Sequence, residues 1–69
     1  MSKERYGDVD HLIEVLKSES FEDARELIEK NEYSRWHVYG RRRELLGMYL
    51  PADIKAWIWG VLDEVKDSI

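Results

Sequence analysis

The chain has 69 residues, 15 acidic against 11 basic, with no cysteine, one proline and 43% apolar residues. That length holds one domain, which buries only about 60% of the surface its unfolded chain exposes, so stability must come from a single core and an internal active-site cavity is not expected. The lack of cysteine excludes a disulfide framework, a thiolate zinc site and a thiol nucleophile; the charged Met1 to Asp10 stretch and a longest apolar run of only Ala56 to Leu62 argue against a secretory leader or a membrane span, so a soluble cytoplasmic protein without membrane contact is expected.

Residues 1–7 read as a charged arm in which Tyr6 is an isolated aromatic that either packs back on the domain or stays mobile. Val9, Leu12, Ile13 and Leu16 then recur at the spacing of one helix face, with Asp8 placed as N-cap, and predict a first helix over about 8–17. Ser18 to Ser20 break the pattern, and Ser20 with Asp23 resembles a capping box. Phe21, Ala24, Leu27 and Ile28 form the face of a second helix over about 20–31, stopped at Asn31.

A third helix is predicted over about 34–48, but a straight one would set Arg35 and Arg42 on the side of Tyr39, Leu46 and Tyr49, where unpaired cations are costly. Either the helix bends near Gly40, a poor helix former, or this face is a binding surface. Met48, Tyr49 and Leu50 read as core or turn packing. Pro51 fits a first helical position, Asp53 suits the first turn, and Ile54, Trp57, Ile58, Val61, Leu62 and Val65 repeat at helical spacing, predicting the main core helix over about 51–67. No strand-like alternation, repeat or linker is evident. The fold class is therefore all-α, a compact bundle of three to four short helices in one domain.

Charge divides by segment. Residues 1–33 carry ten acids against five bases, residues 34–50 carry four arginines against Glu44, and residues 51–69 carry four acids against two lysines. A basic island of +3 thus sits on an acidic protein. No phosphate loop, dinucleotide glycine pattern or serine elbow is present, and the four glycines are scattered. His11 and His37 lack the spacing of a zinc site, and the carboxylates fall on polar helix faces. No catalytic residue, metal ligand or cofactor is assigned, and the chain is not expected to be an enzyme.

The island interleaves aromatic and cationic groups, among them Tyr33, Arg35, Trp36, His37, Tyr39, Arg41, Arg42 and Arg43, a mixture suited to phosphates, bases or a protein interface. The run from Ser34 through Arg35-Trp36-His37-Val38-Tyr39-Gly40 and Arg41-Arg42-Arg43 to Leu46 resembles the recognition helix of helix-turn-helix DNA-binding domains, with the second helix as its support, over about residues 20–47. The resemblance implies that Ser34 caps the helix, that Arg35, Trp36, His37 and Tyr39 face bases, and that Arg42 and Arg43, with Arg41 beside them, hold phosphates.

Trp59 falls about 100° from the centre of the last helix's apolar face, beside Lys55, Asp63 and Lys66, so it and Trp57 cannot face the same neighbour. Gly60 next to it either permits close approach of a second backbone or merely weakens the helix. The leading expectation is a small regulatory or inhibitory protein that binds another macromolecule, above all a protein, through Trp36, Tyr39, Arg42, Arg43 and Trp59. Compact regulators of this style are frequent among virus-encoded accessory proteins. A homodimer is an allied reading, and a helix-turn-helix regulator binding nucleic acid is the alternative.

Overall fold

The computed structural model describes residues 7–69 and contains five helices, α1 (Val9–Lys17), α2 (Phe21–Lys30), α3 (Arg35–Gly40), α4 (Arg42–Leu46) and α5 (Ala52–Ser68). Apart from Gly7, the arm expected over residues 1–7 lies outside the described residues, Tyr6 included. The all-α expectation holds, but three to four helices become five because residues 34–48 do not form one helix.

α1 begins where expected. The Asp8 carboxylate accepts the Asp10 N–H at 3.0 Å, satisfying one of the free donors of the first turn. Its apolar stripe, Val9, Leu12, Ile13 and Leu16, is wholly buried. The helix ends in a Schellman arrangement, in which the Ser20 N–H reaches the Val15 carbonyl at 3.2 Å and the Glu19 N–H reaches that of Leu16 at 3.0 Å. This closure needs a left-handed residue, and Glu19 supplies it with φ of 62°. A side chain in that region costs about 1 kcal/mol that glycine avoids. Glu19→Gly is therefore expected to raise stability by roughly 1 kcal/mol in urea denaturation, whereas a loss would mean that the Glu19 side chain supports the turn.

Ser20 occupies the N-cap position of α2, but its side chain makes no capping bond, so the expected capping box does not form. The far end follows expectation: Asn31 leaves helical geometry, and its amide Nδ2 donates to the Leu27 carbonyl at 3.1 Å. Ala24 is the one fully buried residue of α2, with Phe21, Leu27 and Ile28 half-buried around it. The small side chain lets α2 lie close against α1, and the two form an αα-hairpin.

The expected helix over 34–48 is corrected to two short ones. At Arg41 the backbone turns to φ −105° and ψ 19°, immediately after Gly40, and its N–H is shared between the His37 and Val38 carbonyls. Gly40 makes the bend cheap, and tertiary contact makes it favourable, since α3 and α4 both lie against α5 and bury one residue each, Val38 and Leu45. Met48 is half-buried and Leu50 buried, but Tyr49 is exposed, contrary to a packing role.

α5 starts one residue later than expected, with Pro51 as the extended residue ahead of the first turn. Its inner face, Ile54, Ile58, Leu62 and Val65, is buried, and Trp57 and Val61 are half-buried along one edge. One core joins all five helices, from Val9, Leu12, Ile13 and Leu16 through Ala24, Val38 and Leu45 to Leu50, Ile54, Ile58 and Leu62. A bidentate pair ties α2 to the start of α5, with Arg25 Nε 2.7 Å from Asp53 Oδ2 and its NH2 3.3 Å from Oδ1. That arginine holds the Asp53 carboxyl below its ordinary range. No described helix is long and apolar enough to cross a membrane.

Candidate interaction surface

The bend at Gly40 and Arg41 separates the three consecutive arginines by role. Arg41 turns inward along α1, pairing with Asp10 and with Glu44 Oε1 at 2.6 Å, while Lys17 Nζ meets Glu44 Oε2 at 2.7 Å. Lys17, Glu44, Arg41 and Asp10 thus form a chain of charges that straps α4 to α1. Arg42 folds back on α3, its NH1 donating to the Tyr39 carbonyl at 2.8 Å and its guanidinium lying 4.1 Å from the centre of the Tyr39 ring. Arg43 is exposed and makes no ion pair among the described residues. Arg35, at the start of α3, reaches Glu64 of α5 at 3.8 Å. The Ser34 side chain makes no capping bond.

The double hydrogen bond from Lys17 and Arg41 pulls the Glu44 carboxyl down to about 2. Because the folded value lies below the unfolded one, the stability that Glu44 contributes is complete above the ordinary carboxylate range and is lost as pH falls from about 4.5 through about 2. Replacing Glu44 by Gln should lower the melting temperature at pH 6 and reduce its dependence on pH between 4.5 and 2. An unchanged acid profile would show that the strap adds nothing to the fold.

Five residues were expected to make one surface: Trp36, Tyr39, Arg42, Arg43 and Trp59. Tyr39 and Arg42 do meet. Trp36 is 51% exposed and lies at the junction of two open grooves. The first, about 510 Å3, runs past Asp8, Val9 and Asp10 to His37, Gly40 and Arg41. The second, about 610 Å3, is lined by Ile28, Tyr33, Trp57 and Val61 together with Glu32, Arg35 and Glu64. Trp59 is 49% exposed and lines neither groove. Two residues beyond Trp57, it points about 200° away around α5. A Cβ on Gly60 would meet nothing within 4 Å, so this glycine serves no close backbone approach within the chain.

The pairing of Tyr33 with Trp57 was not expected from the sequence, where Trp57 counts as core. The rings meet edge to face with centroids 6.0 Å apart at 73°. Gly7 abuts the same tyrosine: its N–H donates to the Glu32 carbonyl, and a Cβ there would run into the Tyr33 ring. Burial, reinforced by the charge of Asp8, raises the Tyr33 phenol above its ordinary value. The position of Trp57 about 100° from Ile58, at the margin of the apolar stripe, is the sequence signal that it could reach a surface.

His11 and His37 are both exposed. His11 borders a shallow acidic hollow with Asp8, Asp10, Glu14 and Asp23, and no group of three or more ligating side chains among the described residues could hold a metal ion. Comparison with protein-family models, curated proteins and solved structures finds no match to the chain.

Proposed function

We propose that the chain is a small regulatory or inhibitory protein that binds a protein partner through an aromatic and arginine surface centred on Trp36. The observation that carries this reading is the half exposure of Trp36 between two grooves while the core closes without it. Tryptophan is costly to leave in water and is enriched among the residues that dominate interfaces. Tyr39, held flat by Arg42, and the exposed Arg43 extend the surface along α3 and α4, and Trp59 is a second anchor on the far side of α5. A virus-encoded accessory protein and a homodimer remain within this reading.

Duplex DNA contact through a helix-turn-helix is the competing reading, supported by the exposure of Arg35, His37 and Arg43. Against it, a recognition helix is one continuous rod, whereas residues 34–48 bend at Arg41, whose own charge is engaged by Asp10 and Glu44.

Capture from the source cell separates the two. Trp36→Ser and Trp59→Ser, each of which removes a half-buried side chain, should keep the helical spectrum and lower stability by about 1–2 kcal/mol. Trp36→Ser should lose a protein that the wild type retains, with or without nuclease treatment. A partner lost on nuclease treatment would favour DNA, and one retained by both variants would overturn the proposed surface.

A further inference from the structure

We infer that the groove between Tyr33, Trp36 and Trp57 receives a lysine side chain of the partner protein. The inference rests on the protein-binding reading above and specifies its chemistry. Three aromatic rings line this groove, and two of them, Tyr33 and Trp57, stand at 73° to each other with centroids 6.0 Å apart, so that they form two walls of a corner. Trp36, half exposed, supplies the third side. Aromatic faces carry negative potential, and a corner of such rings attracts an alkylammonium group while covering its methylene stem.

The charges around the groove point the same way. Glu32 and Glu64 are its two carboxylates, and its single described base, Arg35, lies 3.8 Å from Glu64 with both partners more than half exposed, a loose pair that an incoming cation can displace. Glu32 makes no ion pair among the described residues. With Arg35 set against Glu64, the lining keeps one net negative charge, which a lysine complements and an anionic or purely apolar occupant does not. The form of the groove favours a side chain over a free ligand. At about 610 Å3 it has room for a lysine, but it is only partly enclosed, whereas small-molecule sites enclose most of the ligand surface. A lysine on a chain gains its remaining contacts from the polypeptide that carries it, which lies along the open side of the groove.

The test is a titration of the full-length, isotopically labelled chain with acetylated tetralysine, following the three tryptophan indole N–H signals. The signals of Trp36 and Trp57 should move and that of Trp59 should not, with binding weakened by added salt. Tetranorleucine, which keeps the stem and removes the charge, should bind at least about tenfold more weakly. Trp36→Ser should weaken tetralysine roughly tenfold and Glu64→Gln roughly threefold, while Tyr49→Ser, which alters an exposed aromatic outside the groove, should bind as the wild type does. Equal binding of tetranorleucine would overturn the cationic assignment, as would tetralysine shifts confined to the outer faces of α1 and α2. Free tetramethylammonium binding as tightly as tetralysine would overturn the side-chain assignment. If the tetralysine experiment fails while Trp36→Ser still loses the captured partner, the protein-binding reading stands and the lysine inference falls; if Trp36→Ser retains the partner, the surface itself is misplaced.

Discussion

Ile58→Ala is expected to leave the chain largely unfolded at 25 °C. Ile58 has no exposed surface and sits mid-way along α5, where the inner face meets a core drawn from all five helices. Truncation of a buried isoleucine costs roughly 2–5 kcal/mol, from lost transfer energy and from the cavity left behind. A core of this size rarely supplies more than about 3–5 kcal/mol in total, so one substitution removes most of the margin. Circular dichroism at 25 °C with a urea titration measures it, and Ile58→Val, expected to cost only about 1 kcal/mol, is the graded control. Wild-type stability in Ile58→Ala would mean that the α5 face is not the centre of the fold.

Leu45→Ala is expected to release α4 before the rest of the domain. α4 is five residues long, far below the roughly 12–15 at which an isolated helix becomes even marginally stable, so its geometry depends on what it touches. Leu45 is its one fully buried residue, and the strap from Lys17 through Glu44 to Arg41 is its main polar tie. Surface charge pairs of this kind hold little on their own, which leaves Leu45 as the dominant anchor. The expected loss is about 2 kcal/mol, the low end for a buried leucine and less than the whole margin, and hydrogen exchange should show amides of Arg42–Leu46 losing protection ahead of those in α5. Uniform loss across all helices would instead make α4 part of the same cooperative unit as Ile58. Because Arg42 holds Tyr39 from α4, release of this helix should also loosen the surface next to Trp36.

These two substitutions mark different degrees of legibility. The Ile54, Ile58, Leu62 and Val65 stripe is visible in the sequence because helical periodicity is a local property, and the long α5 repeats it several times. The cap at Asp8 and the stop at Asn31 are equally local. The division of residues 34–48 is not, although Gly40 and the awkward placement of Arg35 and Arg42 hinted at a bend. Whether a glycine breaks a helix depends on whether the two halves gain more from a third element than from each other. Here α5 offers that gain to Val38 and Leu45.

The candidate surface shows the same limit more sharply. Trp36, Tyr39, Arg42 and Arg43 were recognisable as an unusual aromatic and basic run, and Trp59 as a tryptophan off the core face. Their arrangement was not. Arg41, one of three adjacent arginines in the sequence, is committed to Asp10 and Glu44, while Arg42 covers Tyr39 and Arg43 faces solvent. Tyr33 and Trp57, 24 positions apart, form a corner that no spacing rule reveals.

The sequence by itself determined an all-helical chain, the inner faces of α1 and α5, and a charge distribution in which a basic aromatic island interrupts acidic helices. Those properties depend on which residues lie within a few positions of one another. Only the tertiary structure decided that the island bends at Arg41, that Trp36 and Trp57 border one groove with Tyr33, and that Trp59 stands apart from them. Each is a contact between segments distant in the chain, set by how the helices share a small core rather than by the propensity of any one segment.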